Sequence, residues 1–158
     1  LNINELVGLI ERNELIEFGK EYKNERNKRE IRNEVYRKLR PLDIAQRFLE
    51  LKPDEINKLA LIVAAIGIAD GLKTTQIRKI LSISRRIYLN VKQNKDISAD
   101  IAKLRYIMAY ISSRHEGARI IAEVADKIIS KLNAKNYENF HDFLQAVVAY
   151  HKFMGGKD

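Results

Sequence analysis

Not one cysteine occurs in the 158 residues, which removes disulfides and zinc–thiolate sites and agrees with a reducing, cytoplasmic setting. Proline appears twice and glycine seven times, too few to supply the tight turns of a multistranded sheet. The longest apolar stretch, Leu59 to Ala69, falls short of the roughly 20 residues that a bilayer span needs. It reads as a buried helix. The N-terminus, LNINELVGLI, lacks a basic leader followed by an apolar run, so no secretory signal and no membrane association are expected. A further absence is local. Between Lys73 and Lys95 there is no Asp or Glu, although the chain holds twenty-one of them, and seven Lys or Arg fill the same stretch.

What is present points to an all-α fold. Apolar residues make up 46%, too many for disorder, and charged residues make up 32%. The length suits one domain with a real core, or one core plus an appended element. The expected architecture is a compact bundle of about five to seven helices at 41–158, preceded by a charged helical extension at 1–40. The formal net charge of +8 favours nucleic acid or another acidic partner.

Within the extension, residues 3–18 carry a loosely helical apolar pattern, and the segment is expected to divide near Gly19. Residues 20–30 (KEYKNERNKRE) hold almost nothing apolar except Tyr22 and are expected outside the core. Ile31, Val35 and Leu39 then form a narrow stripe before Pro41. That stripe suits either a solvated helix held by charge pairs or a homodimer contact. Leu42 to Leu51 makes a short amphipathic helix. Asp54 and Glu55 follow Pro53 in the first turn of a largely apolar helix that Gly71 ends. Asp96 or Ser98 caps a helix reaching about Arg114, with Ile101, Leu104, Met108 and Ile111 inward. After a break at Gly117, Ile120, Ile121, Val124, Ile128 and Leu132 mark another. The last is capped by Asn136 or Asn139, points Phe140, Phe143, Leu144 and Val147 one way, and ends at Gly155 and Gly156.

The acid-free stretch reads as one amphipathic helix capped by Thr74 or Thr75. At about 100° per residue, Ile77, Ile80, Leu81, Ile87, Tyr88 and Val91 share an arc. Arg78, Lys79, Arg85, Arg86 and Lys92 lie roughly opposite, interrupted by Leu89. Such a face suits phosphates. An anionic membrane surface is the competing partner, but the apolar arc lacks Trp and Phe and is needed for the core. On the next helix, Lys103, Tyr106, Tyr110 and Arg114 fall within about 80° of one another. They suit phosphate contact with base stacking, or else tyrosines half-buried at the bundle surface.

No catalytic constellation emerges. His115, His141 and His151 stand apart from any helical carboxylate partner, so neither a metal nor a cofactor is expected. Phosphate loops, nucleophile elbows and paired-carboxylate motifs are missing, which makes an enzyme the weakest of the readings.

Taken in order, LKTTQIRKIL at 72–81, LRYIMAYISSRH at 104–115 and FHDFLQAVVAYHKFMGG at 140–156 resemble the small helical subunit of type III-A CRISPR effector complexes, the Csm small subunit. The resemblance implies a non-catalytic, all-α protein stacked in several copies along guide RNA paired with target RNA, beside the other Csm subunits. It carries RNA contact onto Arg78 and Lys79 in the first motif, Arg114 in the second and Lys152 in the third. Arg85, Arg86, Lys92, Lys103 and Arg119 are added from the charge pattern. The rival is a helical adaptor that scaffolds an assembly through protein contacts only.

Overall fold

A computed structural model describes all 158 residues as nine α-helices and two 3-10 turns, with no strand. The all-α expectation holds, and the helix number exceeds the five to seven expected. In order the helices are α1 (Ile3–Glu11), α2 (Leu15–Lys23), α3 (Lys28–Leu39), α4 (Pro41–Gln46), α5 (Pro53–Ala69), α6 (Thr74–Lys92), α7 (Ser98–Arg114), α8 (Arg119–Ile129) and α9 (Tyr137–Phe153). The turns cover Phe48–Glu50 and Glu116–Ala118.

The extra helices come from the first fifty residues. The chain breaks at Asn13, whose φ of 61° is a left-handed conformation that asparagine tolerates, rather than at Gly19. Gly19 lies inside α2 and is buried. A Cβ there would stand 2.5 Å from the Phe153 ring, so this glycine admits α9 instead of ending a helix. Tyr22, expected outside the core, is fully buried. Its ring stacks on Phe18 at 5.3 Å, and its hydroxyl donates to the Ala65 carbonyl at 2.7 Å. The stripe of α3 is also spent within the chain, where Ile31 and Val35 are buried and α3 packs on α1 and α5. Near the N-terminal end of α3, Arg32 grips Asp70, the C-cap of α5, at 3.0 Å and Arg29 approaches it at 3.6 Å.

At the centre lies α5, buried at every position from Leu59 to Gly67. Pro53 begins it, and the Glu55 carboxylate accepts from the Lys52 amide at 2.9 Å, closing its first turn. Gly71, with φ of +93°, turns the chain away at its end. Around α5 pack α2, α3, α4, α8 and α9. One hydrophobic cluster of 40 residues runs from Leu6 to Met154 and so joins both sides of the expected boundary at residue 40.

The pair that positions the basic surface is α6 and α9. Between them lies a buried polar seam, with Ser84 Oγ 2.8 Å from Tyr137 OH and 2.9 Å from His141 Nδ1. His141 also stacks on Tyr88 at 5.1 Å. At the other end of α6, His151 Nε2–H donates to the Leu72 carbonyl at 2.7 Å. Two histidines that looked isolated in the sequence therefore fasten one helix.

Candidate nucleic-acid interface

The start of α6 differs from expectation. Lys73 is the N-cap residue and the Gln76 side chain accepts from its amide at 3.1 Å, so neither threonine caps by its hydroxyl. Thr74 is buried instead, with its amide and hydroxyl both donating to the Lys157 carbonyl, at 2.8 and 3.2 Å. Ile77, Ile80, Ser84 and Ile87 face the core, while Arg78, Lys79, Arg85, Arg86 and Lys92 are exposed. Leu89 stands 46% exposed among them.

The charged face is two rows rather than one. Residues seven apart drift by only about 20° around a helix, so Arg78, Arg85 and Lys92 form one row and Lys79 and Arg86 another, about 100° away. The first row leans towards α9. Lys92 lies 3.6 Å from Glu138 and 5.2 Å from the centre of the Tyr88 ring, and Tyr88 then Glu138 hold its ammonium above the ordinary lysine range. The second row leans towards α7.

On that side α6 and α7 run antiparallel. Asn90 donates to Asp100 at 3.3 Å near one end. At the other, Lys73, Thr75, Gln76 and Lys79 enclose a cleft of about 500 Å³ with Tyr110, Ile111, Arg114 and His115. No carboxylate side chain lines it. That register sets Arg86 level with Lys103, which shares the flank of α7 that carries Tyr110 and Arg114. Arg114 donates to the Tyr110 hydroxyl at 3.2 Å and lies 5.8 Å from its ring centre. The tyrosines are not half-buried, since Tyr110 is 57% and Tyr106 63% exposed.

The sequence matches the family model described as Csm2 Type III-A over residues 50–157, more than half of the chain. The chain belongs to that family. It is also 34% identical over 92 residues to the CRISPR system Cms protein Csm2 of Streptococcus thermophilus, an alignment covering 55% of this chain and 76% of that protein. This Csm2-family chain is thus a structural small subunit of a type III-A CRISPR complex, as the three motifs implied. The matched segment takes in all three motifs and α5 to α9, and leaves α1 to α4 outside.

Of the nine expected contact residues, Lys79 and Arg114 come together in the cleft. Lys92 is engaged by Glu138, and Lys152, on the last turn of α9, lies 3.8 Å from Asp158. Arg119 opens α8 on the face that Glu123 shares one turn later, and does not line the cleft. The charge pattern missed Lys73, Gln76 and His115. Lys73 and His115 stand just outside their helices, where a wheel assigns no face, and Gln76, inside α6, carries no charge. No helix is long and apolar enough to cross a membrane.

Proposed function

We propose that the groove between α6 and α7 binds the sugar-phosphate backbone of target RNA, free or paired with the guide, inside the type III-A complex. The observation that carries this is the cleft itself. Lys79 and Arg114, far apart in sequence, face one acid-free space with Lys73, and none of the three is taken up by an ion pair within the chain. Arg86 and Lys103 continue the two walls. Phosphate contacts hold and orient a strand without reading bases, so guide pairing supplies the sequence and this subunit supplies affinity. In this reading residues 41–158 carry the RNA contacts, residues 1–40 form the supporting helical extension, and copies of the subunit associate along the RNA in the cytoplasm.

The test is salt dependence. Five groove cations on a single strand give a slope of about −3.5 in log K against log salt, because each phosphate neutralised contributes about −0.7. The Lys79→Gln, Arg114→Gln double variant is expected at about −2.1. An affinity indifferent to salt, or an unchanged slope, refutes the proposal. Intact binding together with failed assembly into the complex favours the protein-contact adaptor instead.

A further inference from the structure

We infer that the α6–α7 cleft is a nucleotide site: it takes one unpaired RNA nucleotide, its base stacked on Tyr110 and its phosphate met by Lys79 and Arg114. The inference rests on the groove reading above and adds a substrate preference to it. A surface that only neutralises phosphate needs no aromatic ring, and most bundle tyrosines turn their rings inward. Tyr110 does the opposite. More than half of its surface is in solvent, and it is held by its own helix, with Arg114 one turn on bound to its hydroxyl. An anchored, exposed ring beside cations that no carboxylate engages is the combination that single-stranded nucleic acid uses, because every base presents a π-face and every linkage a charge.

The cleft has the capacity for this ligand. Its volume of about 500 Å³ lies within the range of clefts that hold small organic molecules. Its rim also offers a group for a base edge. Gln76 lines the same cleft, with its carbonyl committed to the Lys73 amide and its NH2 making no hydrogen bond within the chain. A paired base keeps both faces in the duplex stack and cannot reach Tyr110. The site therefore favours single-stranded or looped-out RNA over a continuous duplex. Tyr106, the other exposed tyrosine of α7, lines a different cleft with Arg105, Glu123 and Asp126, where two carboxylates repel phosphate.

The experiment compares binding of a single-stranded oligouridine and of an RNA duplex of equal length by the full chain at low salt. Tyr110→Leu is expected to weaken the oligouridine about tenfold and leave the duplex unchanged. Tyr106→Leu, in the acidic cleft, is expected to bind both as the parent does, whereas Tyr110→Phe, which keeps the ring but loses the Arg114 contact, is expected to weaken the oligouridine less than Tyr110→Leu does. Tyr110→Leu binding oligouridine as tightly as the parent, or losing strand and duplex equally, overturns the inference. Lys79→Gln separates it from the reading beneath it. If that variant weakens both ligands while Tyr110→Leu weakens neither, the phosphate groove stands and only the nucleotide site falls. If Lys79→Gln changes neither ligand, the groove falls and the site with it.

Discussion

Substituting Tyr22 asks whether the N-terminal helices, which lie outside the segment matched to the family, share one cooperative fold with the rest. The ring is fully buried, stacks on Phe18 and spans from α2 to the Ala65 carbonyl in the middle of α5. Burial first, and then the Asp70 carboxylate, push its phenol well above the ordinary tyrosine range, so it remains a neutral donor at every pH at which the protein is handled. Tyr22→Phe removes only that hydroxyl. Ala65 lies inside α5, whose own ladder keeps the carbonyl paired, so the cost is about 1 kcal/mol. Tyr22→Ala deletes the ring as well and leaves a cavity between α2 and α5, at about 3–5 kcal/mol. For a domain of this size each kcal/mol lowers Tm by about 2–4 °C, which makes the two variants easy to separate. Urea unfolding followed by far-UV circular dichroism should give a single transition in both, shifted by these amounts. A Tyr22→Ala midpoint within about 1 kcal/mol of the parent would refute the reasoning. So would a biphasic curve in which the early phase alone moves, because α1 to α3 would then be an appendage rather than part of the core.

Two further outcomes test the seams around α6. Burial is the chief cause lowering the pKa of both His141 and His151, so below the ordinary histidine pKa of about 6.5 the unfolded chain takes up protons before the native one does. Stability is therefore full above that pH and falls as the solution is acidified through it, by at most about 1.4 kcal/mol per pH unit for each histidine, levelling once the native groups protonate. Urea midpoints at about pH 7.5 and about pH 5 measure this, and equal midpoints would contradict it. Gly117→Ala should destabilise by about 1–3 kcal/mol, since its Cβ would fall 2.2 Å from the Leu72 amide nitrogen and 2.6 Å from the Gly71 carbonyl carbon, both backbone. Gly8→Ala is the control. It meets only the mobile Arg12 guanidinium at 3.0 Å inside α1 and should raise Tm, so equal effects at both glycines would refute the packing argument.

How far the sequence could be read depended on whether a signal was local. Helices α5 and α6 were legible because their apolar spacing, the Pro53 start and the Gly71 stop all act within a few residues. The cap expected from Asp96 or Ser98 was placed slightly off, since Ile97 holds the N-cap position of α7 and Asp96, one residue earlier, accepts from the Ser98 amide at 3.0 Å. Gly19 and Tyr22 were misread because what decides them comes from afar: the Phe153 ring on one and the Ala65 carbonyl on the other. A lone tyrosine in a charged segment looks like surface until a carbonyl is found for its hydroxyl. His141 and His151 hid for the same reason, since Ser84 and Leu72 are 57 and 79 residues away. The candidate site was half legible. Periodicity located the cations of α6 and α7, but a helical wheel gives angles and not neighbours, so it could not tell which row of α6 meets which helix.

That distinction ranks Arg78 and Lys79, which stand side by side in the same motif. One straight strand cannot lie along two rows about 100° apart on a single helix. The row of Arg78 faces α9, where Glu138 already draws on Lys92 and offers phosphate a competing carboxylate. The row of Lys79 faces α7, where Arg114 and Lys73 add positive charge and the cleft lining contains no acid side chain. On the proposed groove reading, Lys79→Gln is therefore expected to cost more RNA affinity than Arg78→Gln, and equal losses would refute the ranking. The fastening of α6 strengthens the difference. His141 holds its middle, His151 and the Lys157 carbonyl hold its start, and so the wall of the groove is fixed during folding. In the proposed reading, binding would then order little beyond the RNA and the tips of the lysine and arginine side chains, which would leave more of each phosphate contact to appear as affinity.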